Sequence, residues 1–393
     1  MNVLHVISGI DKINGGPTIA LLGLVRAQKN AGIDAPVVPR VIPRVIAAFA
    51  RPEAVSDAAD FRDAGIETTL VGPVSRLIRG YHSSLHASLT KQMQTADVVH
   101  IHAVWEPIQI IAARVAKKMN KPYVLTPHGM LGDWAMSRRP MVKRMLGVLG
   151  ADSLINNATR LHATTTIEQA QLLRRFPQGS VVLEPNGIDT SEFQVIPPRG
   201  FLRDRFPALK QSKILLHLGR VSEQKGLHVL LPAIASLGQD FAEWTLVIVG
   251  PDGGAYEQAR RREARELGIA DRVIFAGPMF GADRIAALRD ADLFALASHQ
   301  ENFAIAVLEA MAAGLAVVVS DNVMLHPTIT QARAGGVSPL SVEAVSRELA
   351  RWMKDESLRE EAGQRGRQLA MTQFDWNNIA IRWTKHYADI VGT

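Results

Sequence analysis

A chain of 393 residues is too long for one ordinary hydrophobic core, so two domains are expected. Its composition, 47% apolar and 21% charged, is that of a globular protein, and no apolar run approaches the roughly eighteen residues of a membrane span. The absence of cysteine rules out a disulfide framework, a thiolate metal site and a thiol nucleophile. Charge is unevenly spread: residues 1–185 carry 21 lysines and arginines against 13 acidic residues, a net of +8, and the remainder carries 23 against 25, a net of −2. A basic first half suits an anionic surface or substrate. The basic residues are scattered without aromatic interleaving, which argues against nucleic acid as a partner.

In chain order, the start MNVLHVISGI lacks the basic and long apolar regions of a secretory signal and reads as a buried strand, which points to a cytoplasmic address. Strand-like runs follow at 35–39 (APVVP), 97–103 (DVVHIHA) and 123–129 (YVLTPHG). A second series comprises 214–220 (ILLHLGR), 245–250 (TLVIVG), 272–277 (RVIFAG), 293–298 (LFALAS) and 316–321 (AVVVSD). Alternation of such runs with longer helical patterns predicts two parallel sheets covered by helices. EPNGID (184–189), followed by the proline-rich VIPPRGF, marks the break between them. Apolar residues at helical spacing in 374–391 predict a terminal helix.

Ligands of doubly wound sheets sit beyond the carboxyl ends of the strands, so the residues after each run are the candidates. Gly15, Gly16 and Pro17 lead into a helix whose first amides can hold an anion. Arg220 and Lys225 follow ILLHLG on one loop, a pairing of fork and point charge suited to a diphosphate. In HQENFAIAVLEAMA, Glu309 is the one charged residue of an apolar helix and needs a partner. With Asn302 as N-cap and the helix starting near Phe303, Glu309 lies roughly 9 Å along the axis, the offset between nucleotide phosphates and ribose. Glu301 then faces what hangs from the diphosphate, a sugar in the case of a sugar nucleotide.

These residues resemble glycosyltransferase family 4, retaining enzymes of the GT-B fold. E-N-F-A-I-A-V-L-E is similar to the family's E-x7-E motif, G-R-V-S-E-Q-K-G to its diphosphate clamp, and N-G-G-P to its N-terminal glycine loop. V-V-H-I-H, P-H-G-M-L, P-N-G-I-D and S-D-N-V extend the likeness over nearly the whole chain. The resemblance implies an α/β GT-B architecture of two Rossmann-like domains facing a central cleft. The expected division is an acceptor-binding domain, 1–186, joined by the C-terminal helix 374–393, and a donor-binding domain, 187–373. It implies that Arg220 and Lys225 bind the donor diphosphate and that the Gly16 amide assists. It further implies that Glu309 takes the ribose hydroxyls, that Glu301 takes the sugar hydroxyls beside Asn302, Phe303 and Ala304, and that His128 sits at the anomeric centre. The implied reaction is retaining transfer of a hexose from a nucleoside diphosphate sugar, UDP-sugar favoured over GDP-mannose, to a glycan or lipid-linked glycan in polysaccharide biosynthesis. Neither a cofactor nor a metal is expected. A nucleotide-sugar epimerase of the same fold and a non-catalytic nucleotide-sugar binder are the alternatives.

Several residues depart from that pattern or invite other readings. Ala304 stands where the family commonly has glycine, and Ala316 where proline often precedes the strand. Asp290 and Asp292 form a D-x-D sequence, but their place between a helix and a strand favours a turn role over metal binding. His100 and His102 make an H-x-H pair without a third ligand nearby in sequence, which predicts strand-end packing or acceptor contact. The stretch 140–150 reads as a helix with Met141, Val142, Met145, Leu146, Val148 and Leu149 on one arc and Lys143 and Arg144 opposite, beside Arg138 and Arg139. That pattern is consistent with peripheral attachment at the inner face of the cytoplasmic membrane, or with packing on the domain under a solvated basic face.

Overall fold

The computed structural model describes residues 1–10, 16–31, 40–49, 58–75, 80–195 and 197–392. The predicted strand at 35–39 and Gly15 lie outside them. The chain divides into two compact units, one holding residues 1–187 with the C-terminal helix Trp376–Val391, the other running from Ile188 to Asp375.

Among the described residues the first unit has seven strands: β1 (Asn2–Ile7), β2 (Ile42–Ala48), β3 (Glu67–Val71), β4 (Val98–His102), β5 (Tyr123–Thr126), β6 (Arg160–Ala163) and β7 (Val181–Leu183). They pair in the order β3-β2-β1-β4-β5-β6-β7, all parallel. The chain leaves β1 in one direction and returns to its other side at β4, so the switch point lies between these two strands. One core packs Leu4, Val99, Ile101, Leu125 and Leu161 under the helix Pro107–Lys118. On the other face, Trp376–Val391 lies against the helix Gly16–Asn30. Gly23 permits this approach, since any Cβ there would strike the Trp376 indole. Arg382 and His386 then tie the terminal helix to the buried Glu184 carboxylate at 2.8 and 3.0 Å.

The second unit has six strands: β8 (Lys213–Leu218), β9 (Trp244–Val249), β10 (Val273–Gly277), β11 (Leu293–Leu296), β12 (Val317–Ser320) and β13 (Gly335–Ser338). Their order, β10-β9-β8-β11-β12-β13, is again all parallel, with the switch point between β8 and β11. Both faces are covered, which is why LLHL, LVIV and VVVS read as nearly unbroken apolar runs. No helix of the described residues is long and apolar enough to cross a membrane.

The predicted helix over 140–150 is only partly regular. It is α-helical over Pro140–Leu146, then widens through Gly147–Ala151, where Gly150 has φ 129°. Lys143 does not join the basic face: its ammonium turns inward to the Ala135 carbonyl and the Trp105 ring, and burial lowers its pKa, with Arg175 adding to the effect.

Candidate active site

In the second unit, three loops at the carboxyl ends of β8, β11 and β12 are stitched together. His299 donates its amide to the Gln224 carbonyl at 2.8 Å, and the Gln224 side chain donates to the Gln300 carbonyl at 2.8 Å. Glu301 exchanges backbone hydrogen bonds with Asn322 and Met324 at 3.1 and 2.8 Å. Gly226, with φ 69°, carries the chain from the Lys225 turn into the helix Leu227–Ala235 so close to the Ala297 carbonyl that no side chain would fit. This frame delivers the Lys225 ammonium to Oε1 of Glu301 at 2.5 Å, with both side chains mostly buried. Arg220 stands on the same loop, exposed and, among the described residues, without an ion-pair or hydrogen-bond partner. The pair balances its own charge, and Arg220 leaves one uncompensated cation for an anionic ligand.

Glu309 finds its cation in Arg284, whose Nη1 lies 3.1 Å from Oε1. Arg284 comes from the helix Gly281–Asp290 and also holds Glu192 at 2.5 Å. Burial raises the Glu309 pKa, Arg284 lowers it in part, and Glu192 adds a further push upward. Nothing in the spacing of GADRIAALRD singles out Arg284, and the sequence reading missed it.

The helix carrying Glu309 starts later than predicted. It spans Ile305–Ala312, and its N-cap is Ala304 rather than Asn302. The reason is backbone geometry: Glu301 is bridged to Val323, and the chain turns from there into the helix through a left-handed residue, Ala304, with φ 57°. Glu309 is thus about 6 Å along the axis from the first helical residue instead of about 9 Å. The left-handed geometry also explains why glycine suits this position, since alanine there is strained by its Cβ. Phe303 is a core side chain against Phe374, so only its backbone can face a ligand.

Asp290 and Asp292 are both occupied by the fold. Asp290, fully buried, accepts the amides of Gly200 and Leu202 at 2.5 and 2.6 Å, and Asp292 accepts from Ile214 at 2.8 Å and pairs with Arg199 at 2.6 Å. Their carboxylates fasten the helix Phe201–Arg205 to β8 and β11.

In the first unit, Gly16 begins the helix Gly16–Asn30, exposed and facing open space, with its amide in a first turn that has no intrahelical acceptors. His128 follows β5 in a left-handed backbone conformation, φ 51°, ahead of Gly129 at φ 76°. The turn is held by Glu168, buried, which accepts the Gly129 amide at 2.8 Å and the Thr164 amide and hydroxyl at 2.7 and 2.9 Å. His128 Nε2 meets His102 Nδ1 at 3.2 Å, and burial lowers the His128 pKa to about 3, with His162 adding repulsion.

The H-x-H pair has a third ring that the sequence reading did not supply. His5 on β1 is in register with His100 on β4, and ring nitrogens of His5, His100 and His102 lie within 4.8 Å of one another. All six of those nitrogens are engaged in hydrogen bonds, and the His100 and His102 rings stack at 4.3 Å rather than converging in plane on one point. The cluster is therefore built as a hydrogen-bonded stack. The available signal was the histidines interrupting the runs VLHVI, VVHIH and RLHA, one in the first and last and two in the second, where a strand covered on both faces should be continuous.

Two all-parallel sheets of doubly wound order, each with charged or titratable groups at strand ends, are the architecture of the GT-B fold. The profile described as "Glycosyl transferase 4-like domain" matches residues 15–187 and that described as "Glycosyl transferases group 1" matches 199–369. The chain belongs to the group 1 glycosyltransferases of family 4. It is 28% identical over 339 residues to a phosphatidyl-myo-inositol mannosyltransferase of Mycobacterium tuberculosis, covering 82% of this chain and 81% of that one. It is 29% identical over 333 residues to a D-inositol 3-phosphate glycosyltransferase of Salinispora tropica, covering 78% of this chain and 66% of the relative's length. Among solved structures, the sucrose-phosphate synthase of Thermosynechococcus elongatus superposes with TM-score 0.76 at 20% identity over the full length of both chains. HepE of Anabaena, in complex with UDP-glucose, superposes with TM-score 0.78 at 17% identity over 100% of this chain and 99% of that one.

Proposed function

We propose that this glycosyltransferase moves a hexose, with retention of anomeric configuration and without a divalent metal, from a UDP-sugar to a glycan or lipid-linked glycan. The observation that carries the donor reading is the Lys225–Glu301 pair beside the unpartnered Arg220 at the switch point of the second sheet. There Arg220 and Lys225 take the diphosphate, Glu301 the sugar hydroxyls and Glu309 the ribose. Asn302, Phe303 and Ala304 offer backbone groups to the sugar. The first unit takes the acceptor, and within it Gly16 and His128 are the residues that meet substrate. The choice of UDP is supported by HepE, a neighbour solved with UDP-glucose, and a lipid-linked acceptor by the relative named for phosphatidyl-myo-inositol.

A second observation favours work at a membrane surface. Met141 and Val148 are each 85% exposed, and Val142, Met145 and Leu149 are also exposed, flanked by exposed Arg138, Arg139 and Arg144. An apolar patch rimmed by cations suits the headgroup region of an anionic bilayer. The decisive experiment is a thermal-shift panel of UDP, GDP, ADP and their hexose conjugates, followed by NMR of the product's anomeric proton. UDP and a UDP-hexose should raise Tm by mass action, and the product should keep the donor's configuration. A panel with no stabilising nucleotide, or an inverted product, rejects the reading.

A further inference from the structure

A continuous path of hydrogen bonds runs through the first unit on the face covered by the helices Gly16–Asn30 and Trp376–Val391. His128 Nε2 meets His102 Nδ1 at 3.2 Å, and His102 Nε2 meets His5 Nδ1 at 3.1 Å. His5 Nε2 meets Oε1 of Gln28 at 3.0 Å, and Nε2 of Gln28 donates to the Tyr387 hydroxyl at 3.2 Å. That hydroxyl meets His100 Nδ1 at 2.6 Å, and His100 Nε2 meets the Thr126 hydroxyl at 2.6 Å. Thr126 meets His162 Nδ1 at 2.8 Å, and His162 Nε2 ends the path at the Glu184 carbonyl, 2.7 Å away. Every side chain between the two ends is buried.

The last link sets the polarity of all the others. A carbonyl only accepts, so His162 carries its proton on Nε2 and, being neutral, accepts at Nδ1 from Thr126. Thr126 has one proton, already donated, so it accepts from His100 Nε2, and His100 Nδ1 accepts from Tyr387. Tyr387 likewise has no second proton and accepts from the Gln28 amide, which turns the Gln28 carbonyl oxygen to His5. His5 then donates from Nε2 and accepts at Nδ1 from His102, which accepts in turn from His128. Neutrality of each ring is supported by burial, which lowers the pKa of His5 and His162 to about 4 and holds His100 and His102 well below the ordinary value.

We propose that this one-way chain is a positioning device that holds His128 as its Nε2–H tautomer, so that Nδ1 presents a lone pair to a hydroxyl of the bound substrate. Among the described residues Nδ1 of His128 has no partner. The proposal rests on the reading that His128 contacts donor or acceptor, and it deepens that reading by fixing the direction of the contact: the substrate donates and the imidazole accepts. It also makes Gln28 and Tyr387, neither of which touches His128, determinants of how His128 binds.

The test uses the full chain labelled with 15N in the histidine rings, read by long-range proton–nitrogen correlation, with His128 identified by its loss in His128→Asn. The expected wild-type pattern is a neutral Nε2–H ring at His128 near pH 7. Gln28→Leu removes the acceptor that orients His5, so His5, His102 and His128 can reverse together and the Nδ1–H form of His128 should appear. Gln28→Glu still accepts from His5 and should keep the wild-type pattern. Tyr387→Phe, which preserves packing, frees the Gln28 amide to flip and should mix the tautomers, so a failure of Gln28→Leu to fold does not remove the test. Loss of the accepting nitrogen should lower kcat for hexose transfer roughly tenfold, the worth of one hydrogen bond. An Nδ1–H or charged His128 in the wild type, or an unchanged tautomer in both Gln28→Leu and Tyr387→Phe, overturns the chain as a positioning device. A tautomer that reverses while transfer is unaffected overturns instead the contact between His128 and substrate.

Discussion

Arg284 lies 3.1 Å from Glu309, so the isolated carboxylate of an otherwise apolar helix is neutralised by an arginine from the helix Gly281–Asp290. Removing one partner of a pair this buried leaves an uncompensated charge, and Arg284→Met should cost about 3 kcal/mol of stability. The sign of its pH dependence follows from the direction of the shift. Burial raises the folded-state pKa of Glu309, so its contribution is fully present below the unfolded value and is lost as pH rises through the folded one. Arg284→Met removes the lowering influence and moves that loss to higher pH. Urea denaturation from pH 4 to 8 should show a falling stability in the variant that Arg284→Met with Glu309→Gln abolishes. Equal pH profiles for single and double variants would refute the assignment.

The same carboxylate is assigned to ribose, because Arg284 engages Oε1 and leaves Oε2 without a partner among the described residues. Glu309→Ala should therefore weaken binding of free UDP, measured calorimetrically. Glu301→Ala should spare UDP and weaken the UDP-hexose. Equal loss of UDP affinity in both variants separates neither carboxylate from the other and ends that division of roles.

Ala304 holds φ 57° at the start of the helix Ile305–Ala312. Glycine has no Cβ to collide in this region, so Ala304→Gly should stabilise the protein by about 1 kcal/mol, even after its larger loss of backbone entropy. Chemical denaturation reads this directly. A destabilised Ala304→Gly would show that the methyl packs usefully in its buried site.

Much of the fold was legible because a strand covered on both faces must be apolar throughout. The runs at 214–220, 245–250 and 293–298 contain β8, β9 and β11 or nearly so. The strands that escaped notice lack that signature. β2 has Pro43 and Arg44 near its start, and β13, GGVS, offers two glycines, with no room for a side chain at Gly335 against the Val317 backbone or at Gly336 against the Glu348 and Trp352 side chains. At the site, loop residues were readable because Arg220, Lys225 and Glu301 stand beside strand ends. Arg284, Gln28 and Tyr387 were not, since what makes each matter is a neighbour 23 or more positions away, Glu309, His5 and His100 among them. Ala304 stood out as a substituted glycine, but the backbone twist behind it had no signature of its own.

Transfer should need no divalent metal, because Arg220, Lys225 and helix amides can stabilise the charge that grows on the leaving diphosphate. Arg220→Ala should lower kcat about a hundredfold, roughly 3 kcal/mol, by analogy with removal of one oxyanion donor. Lys225→Ala should do likewise and should be non-additive with Glu301→Ala, since the two side chains share one ion pair. Asp290→Ala should act on stability instead, unpairing the part-buried Gly200 amide and the buried Leu202 amide at a cost of about 3 kcal/mol. Activity abolished by EDTA, restored by Mg²⁺ or Mn²⁺ and lost in a folded Asp290→Ala would establish a metal mechanism.

The exposed stretch from Arg138 to Leu149 predicts binding to anionic vesicles. Leu146 packs on the core of the first unit, but Met141, Val142, Met145, Val148 and Leu149 are all exposed, which disfavours packing of the whole apolar arc on the domain. Lys143 turns inward, so the cations available to a bilayer are Arg138, Arg139 and Arg144. Each cation near an anionic surface contributes about 1 kcal/mol, so replacing all three with glutamine should weaken vesicle binding on the order of a hundredfold at low salt. Met141→Ser with Val148→Ser should weaken it without changing its salt dependence, because the apolar contribution is unscreened. Sedimentation with phosphatidylglycerol vesicles at two ionic strengths measures both effects. Binding that survives all five replacements would place the membrane contact elsewhere on the protein, and no binding by the wild type would leave this patch to a protein partner.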